Sequence, residues 1–193
     1  MVAGSHGPVR FLLHINGGVS YVVRQLAGLL IHQLRDIYSA EQMLVKALPK
    51  LKEKASTEEL AKAFAEHLEE TENQVARLDQ VFEMMGERSG GVKCRAMEGL
   101  VAETDEILDE DGNDAVLDAG IIAAAQRVEH YEISAYGSAK AFAALLGLSE
   151  IVKLLNESQE EETAADKKLS LIATAEVNAR AAGTHPSMAA KTA

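Results

Sequence analysis

The chemistry this chain could do is concentrated in five glutamates. Glu41, Glu70, Glu129, Glu132 and Glu162 each fall on or beside an apolar helical stripe, roughly mid-helix. Burying an unpaired carboxylate is costly, so each must be protonated, paired or bound to a cation. Several carboxylates close together repel unless positive charge sits between them. A pair of divalent or trivalent ions removes that conflict. Mixed carboxylate and imidazole ligation suits iron or manganese.

The spacing says what each residue can contribute. Glu129 and Glu132 are one turn apart and can bridge two ions. His67 precedes Glu70 by three residues, which puts both on one helical face. His67 is then a ligand itself or a core histidine bonded to a carboxylate. Glu70 competes with Glu66, Glu69 and Glu72, and Glu41 could instead sit at the stripe edge and reach water. Glu162 ends the run Glu160-Glu161-Glu162, so its register is open. Asp166, one turn later, either joins the site or pairs at the surface with Lys167 or Arg127. His130 points about 100° away from Glu129 and cannot easily share its ion. His32, His6, His14 and His185 fall outside the site. Tyr38 and Tyr136 lie near its level, where each can bond a carboxylate or simply pack. The candidate metal set is Glu41, Glu70, Glu129, Glu132, Glu162, Asp166 and His67; no residue is assigned a catalytic role.

Four long helices must position these groups. Leu30, Leu34, Ile37, Glu41, Leu44, Leu48 and Leu51 alternate at spacings of four and three, an inward stripe for the first helix, which Pro49 can kink or interrupt. Leu60, Phe64, His67, Thr71, Gln74, Leu78 and Val81 mark the second, from about Thr57 to Met85, with Gly86 as its stop. A shorter helix is expected over residues 94–110. Ile122, Ala125, Glu129, Glu132, Tyr136, Ala139, Ala143 and Leu146 line the third long helix, which Asp114 can cap. Ser149 can cap the fourth, whose stripe is Ile151, Leu155, Ser158, Glu162, Ala165, Leu169 and Ile172, and which runs to about Ala179. Short loops make hairpins of helices one and two and of three and four. The longer connection between helices two and three can carry the chain back along the bundle. The expected architecture is all-α, a ferritin-like antiparallel four-helix bundle with a long crossover containing a short helix. Residues 1–25 read as a flexible N-terminal arm, 26–179 as the bundle and 180–193 as a flexible tail.

Bulk properties agree. The 193 residues are 47% hydrophobic, enough for one domain with a core. A net charge of −11 with no evident basic face argues against nucleic acid, and suits cations, although solubility alone would explain it. No apolar run is long enough for a membrane. Cys94 is the only cysteine, so no intramolecular disulfide can form; a cytoplasmic location is expected.

Four segments carry a resemblance: HQLRDIYSAEQMLVKALPKL, HLEETENQVARLDQVFEMMG, RVEHYEISAYGSAKAFAALLG and NESQEEETAADKKLSLIA. Together they resemble the YciE/YciF-type ferritin-like proteins of bacteria over about residues 26–177. The resemblance implies a ferritin-like fold, a homodimer and an association with bacterial stress responses. Di-iron proteins of the wider group commonly use a Glu from two helices and Glu-x-x-His from the other two. Here the second helix reads His67-x-x-Glu70, in reversed order, with Asn73 where a histidine would follow. The third has Glu129-x-x-Glu132, and the fourth Glu162-x-x-x-Asp166 without a histidine. Oxidase turnover therefore does not follow from the resemblance. The leading expectation is a stress protein holding two iron or manganese ions. The alternative is a non-catalytic dimeric helical stress or interaction protein with an empty or vestigial site. Iron storage would need a hollow shell that no feature here demands.

Overall fold

The computed structural model describes residues 25–184, which form helices and no strand. The helices are α1 (Leu26–Lys54), α2 (Glu58–Met85), α3 (Arg95–Leu108), α4 (Asp114–Leu145) and α5 (Ser149–Ile172). A π-turn (Ala173–Val177) and α6 (Asn178–Ala181) follow. The arm expected over 1–25, except its last residue, and most of the expected tail lie outside the described residues. No described helix is long and apolar enough to cross a membrane.

Local signals set most boundaries. Thr57 Oγ1 accepts from the Leu60 amide and starts α2. Gly86 ends it with φ +68°, a conformation that glycine adopts without strain. Cys94 caps α3, its sulfur accepting from the Met97 amide. Two caps differ from expectation. Asn113 rather than Asp114 caps α4, its Oδ1 accepting from the Ala115 amide at 2.9 Å, and Asp114 is already the first helical residue. Leu148 precedes α5, and Ser149 is already its first helical residue. Pro49 does not interrupt α1, because it faces solvent, where water can serve the carbonyl it leaves unbonded.

The end of the last long helix also differs. The stripe ending at Leu169 and Ile172 would next bury Glu176 if the α-helical period continued. The π-turn inserts about one residue into the period. Val177 is buried in its place and Glu176 stays exposed.

Helix α1 packs on α2 and α4, and α5 packs on α4 and α2; α3 lies against α4 and α1. Their apolar side chains form two separate clusters. One includes Leu44, Leu48, Phe64, Ile122, Val128 and Leu169. The other includes Leu30, Leu34, Leu78, Phe82, Tyr136 and Leu155. In α1, α2, α4 and α5 a set of buried polar residues falls between the two: Glu41 in α1, His67 to Gln74 in α2, Glu129 and Glu132 in α4, Ser158 and Glu162 in α5.

The α1–α2 turn is tied to α4 by Asp118, which is fully buried. Its carboxylate accepts from the Ser56 amide (2.9 Å) and the Ser56 hydroxyl (2.6 Å). Asp118→Ala leaves that amide without its acceptor. It should destabilise the protein by about 1–3 kcal/mol in urea unfolding, with Asp118→Asn losing less. Equal stability of Asp118→Ala and wild type would remove the tie.

Candidate metal centre

The polar layer is built from one to three residues per helix. Each lies where the heptad-like stripe crosses from one apolar cluster to the other. Glu41 and Glu162 are fully buried, and Glu129, Glu132 and His67 nearly so. One ligand atom from each of His67, Glu129, Glu132 and Glu162 can be chosen so that all four lie within 4.8 Å of one another. His67 Nε2 is 3.4 Å from Glu129 Oε1 and 3.7 Å from Glu162 Oε2. Neither contact has hydrogen-bond geometry, so Nε2 is without a partner. Its other nitrogen, Nδ1, lies 3.4 Å from Glu70 Oε2.

Hydrogen bonds orient some of these carboxylates. Tyr136 donates its hydroxyl to Glu41 Oε1 across the core. Gln74 donates Nε2 to Glu162 Oε1, and the same amide reaches Glu161 Oε2 at 3.0 Å. Glu161 is in turn held by both terminal nitrogens of Arg77, each at 2.9 Å, and Arg77 also donates to Ser158 Oγ. The remaining atoms have nothing. Glu41 Oε2, Glu129 Oε2, both oxygens of Glu132, Glu162 Oε2, His67 Nε2 and Gln74 Oε1 are buried and unpartnered. Among the described residues, every buried side-chain nitrogen or oxygen without a partner belongs to this layer.

The electrostatics follow from that geometry. Burial, reinforced by Glu162, pushes the Glu41 carboxyl well above the usual range, against the Tyr136 hydrogen bond. Burial and neighbouring carboxylates do the same to Glu129 and Glu132. Glu162 is raised by burial but held back by His67, Glu129 and Gln74. Burial is the largest single influence on His67 and pulls it down. The Glu70 hydrogen bond and the charges of Glu162, Glu70 and Glu161 outweigh it, and the imidazole is raised. Burial, then Glu41, lifts the Tyr136 phenol well above its ordinary value. An apo layer of this kind holds protons; a layer with its protons removed demands positive charge at its centre.

Five of the seven residues singled out from sequence meet in the layer: Glu41, Glu129, Glu132, Glu162 and His67. Glu41 stands beside the tightest group, which does not include it. Glu70 and Asp166 are placed at the periphery. Glu70 is 43% exposed and touches the layer through His67. Asp166 accepts from Gln126 Nε2 at 2.9 Å and lies 3.4 Å from the largely exposed His130. The register of the Glu160–Glu162 run resolves with Glu162 inside, Glu161 on Arg77 and Glu160 accepting from Asn156 at the surface. Tyr136 is the tyrosine that bonds a carboxylate of the layer; Tyr38 packs edge-on against Phe82. Sequence reasoning did not find Glu161 as an anchor. The signal available was Arg77, one turn from Gln74 on the same helix.

Comparison with known proteins places this geometry in a family. A model described as a domain of unknown function, DUF892, matches residues 25–182. Protein YciF of Escherichia coli strain K12 is 45% identical over 160 residues, which cover 82% of this chain and 96% of that protein. The crystal structure of the E. coli stress protein YciF superposes with a TM-score of 0.78 at 46% identity, covering 80% of this chain and 98% of the other. A Rhodopseudomonas palustris protein, YcfI, described as structural, superposes with a TM-score of 0.76 at 46% identity and the same coverage. A Xanthomonas campestris protein shares the fold alone, with a TM-score of 0.59 at 19% identity over 76% of this chain and 91% of the other. The match over nearly all the described residues, and the close likeness to YciF, establish that the chain belongs to the YciF-type DUF892 family.

Proposed function

We propose that this chain is a ferritin-like metal-binding protein of the bacterial stress response, holding two iron or manganese ions in the buried carboxylate layer. The observation that carries this reading is the set of orphaned atoms. A protein does not commonly bury seven unpartnered side-chain atoms in one place without something to bind them. The donor set fits: four buried carboxylates and one imidazole are what iron and manganese accept. Glu129, Glu132, Glu162 and His67 would hold the ions, with Glu41 completing the layer. Gln74 and Tyr136 would fix the ligand carboxylates in place, as partners of ligands do elsewhere. A bound pair of such ions would supply redox chemistry.

The architecture proposed is the antiparallel four-helix bundle with a crossover carrying α3. The order in which the helices visit the two apolar clusters supports it. Helix α1 begins in the second cluster and ends in the first, α2 returns, α4 repeats the direction of α1 and α5 that of α2. A cytoplasmic homodimer with no nucleic-acid or membrane partner completes the reading; the net charge of −11 fits it. A second reading, a non-catalytic structural protein with a vestigial site, is favoured by the hydrogen bonds that already hold Glu41 and Glu162. The description of the R. palustris relative fits it too.

Anaerobic loading with iron(II) or manganese(II), followed by metal analysis after desalting, tests the two. About two ions per chain are expected. Glu129→Ala should lose most of them while keeping its helical circular dichroism. Absence of retained metal in the wild type would favour the structural reading.

The pH dependence should reverse on loading. Glu41, Glu129, Glu132 and Glu162 are all raised, burial first, so the folded protein binds their protons more tightly than the unfolded chain. Their stabilising share is complete below about pH 4.3 and fades as pH rises through the raised values. Cation binding needs the deprotonated forms and strengthens with pH. Between about pH 5 and 8, the melting temperature of chelator-treated protein should fall, and the upward shift produced by manganese(II) should grow. Glu132→Gln should flatten the first trend. A manganese shift that shrinks with rising pH would contradict ligation by these carboxylates.

A further inference from the structure

Among the described residues, cavities on two sides reach the buried layer, and they differ in character. Between α2 and α5 lies a cavity of about 170 Å³. Glu66, Glu70 and Lys168 stand at its mouth, each with a side chain more than 40% exposed. His67 and Glu129 line its inner end, and Ala164 and Ala165 keep one wall low. Between α1, α3 and α4 lies a second cavity of about 20 Å³ that also reaches His67 and Glu129. Its walls are mostly apolar, including Leu44, Leu48, Val101 and Val128, with Thr104 and Asp105 among them. It has room for about one water molecule. An ion crossing it would have to shed its hydration in that space, where the one carboxylate besides Glu129, Asp105, is already bound by Lys50.

The α2–α5 cavity offers replacements for that hydration in sequence. Glu70 Oε2 is 3.4 Å from His67 Nδ1, and His67 Nε2 is 3.4 Å from Glu129 Oε1. Exposure falls along the same file, from a half-exposed carboxylate through a buried imidazole to a buried carboxylate. His67 Nε2 and Glu129 Oε2 at the inner end are buried and unpartnered. At the mouth, Lys168 Nζ donates to Glu66 Oε2, and Lys62 lies 3.7 Å from the other oxygen of Glu66. That pairing places an ammonium where a cation must enter.

We propose that the α2–α5 cleft is the path by which divalent cations reach the buried layer, with Glu70 as the transit carboxylate and the Glu66–Lys168 ion pair as the guard at the mouth. The proposal rests on the reading of the layer as a metal site. It gives Glu70 a role other than resident ligand: it strips and hands on the ion, then returns to solvent and to His67.

The test is stopped-flow absorbance of the full-length protein mixed with cobalt(II), a divalent probe visible when ligated, with the end point measured by equilibrium dialysis. Glu70→Gln should slow loading by about tenfold, the lower end of what focusing by charge supplies, and leave the final stoichiometry unchanged. Lys168→Gln should speed loading severalfold. Val101→Phe, which fills the apolar cavity, should load at the wild-type rate. Wild-type rates in both cleft variants, or slowing by Val101→Phe alone, would overturn the path. A lower end point in Glu70→Gln would overturn the transit role and make Glu70 a ligand. A wild type that retains no cobalt at equilibrium would overturn the metal reading itself, and the path with it.

Discussion

Mutual repulsion among Glu41, Glu129, Glu132 and Glu162 is the constraint around which the rest of the structure is arranged. These four carboxyls come from three different helices; burial holds all of them above their ordinary range, and the charge of the others adds to it for Glu41, Glu129 and Glu132. An apolar core could have run unbroken from one end of the helices to the other. It is instead two clusters separated by a polar layer. Each apolar cluster spans all four long helices, which lets the clusters clamp the layer from both sides and hold side chains together that would otherwise separate.

The clamp is selective about which atoms it satisfies. Gln74 and Tyr136 each occupy one oxygen of a glutamate and leave the second free. Arg77, the nearest strong cation on α2, is bound to Glu161 outside the layer. Had Arg77 turned inward it would have neutralised a carboxylate of the layer. Glu161 thus acts twice: it keeps Arg77 out, and it shares the Gln74 amide that orients Glu162. Glu132 alone of the four has both oxygens unpartnered.

Much of this was legible in the sequence, because a carboxylate on a leucine stripe is a violation that periodicity exposes. The stripes of α1 and α2 are buried residue for residue, and Glu41 and His67 could be placed from spacing alone. Side-chain direction was less legible. Glu70 and His67 share a face, yet only the imidazole turns inward, because a shift of three residues moves a side chain around the helix by about 60°. Asp166 fails to reach the layer for a related reason: Gln126 on α4 captures it at the surface. The π-turn after Ile172 was invisible to a fixed period, since it exists to change that period and bury Val177.

The departure from the Glu-x-x-His pattern has a consequence in charge. If all four buried glutamates ionise they carry four negative charges, and a neutral His67 adds none. Two divalent ions bring four positive charges and close that balance. Two trivalent ions would bring six, leaving an excess of two for the peripheral carboxylates Glu70 and Asp166, or hydroxide from ionised water, to offset, since Glu161 is already committed to Arg77. A second histidine in place of Glu132 would have left the layer one charge short even for the divalent pair. The proposed site is therefore balanced for the reduced, divalent state, and oxidation of its ions would draw on charge that lies outside the buried layer.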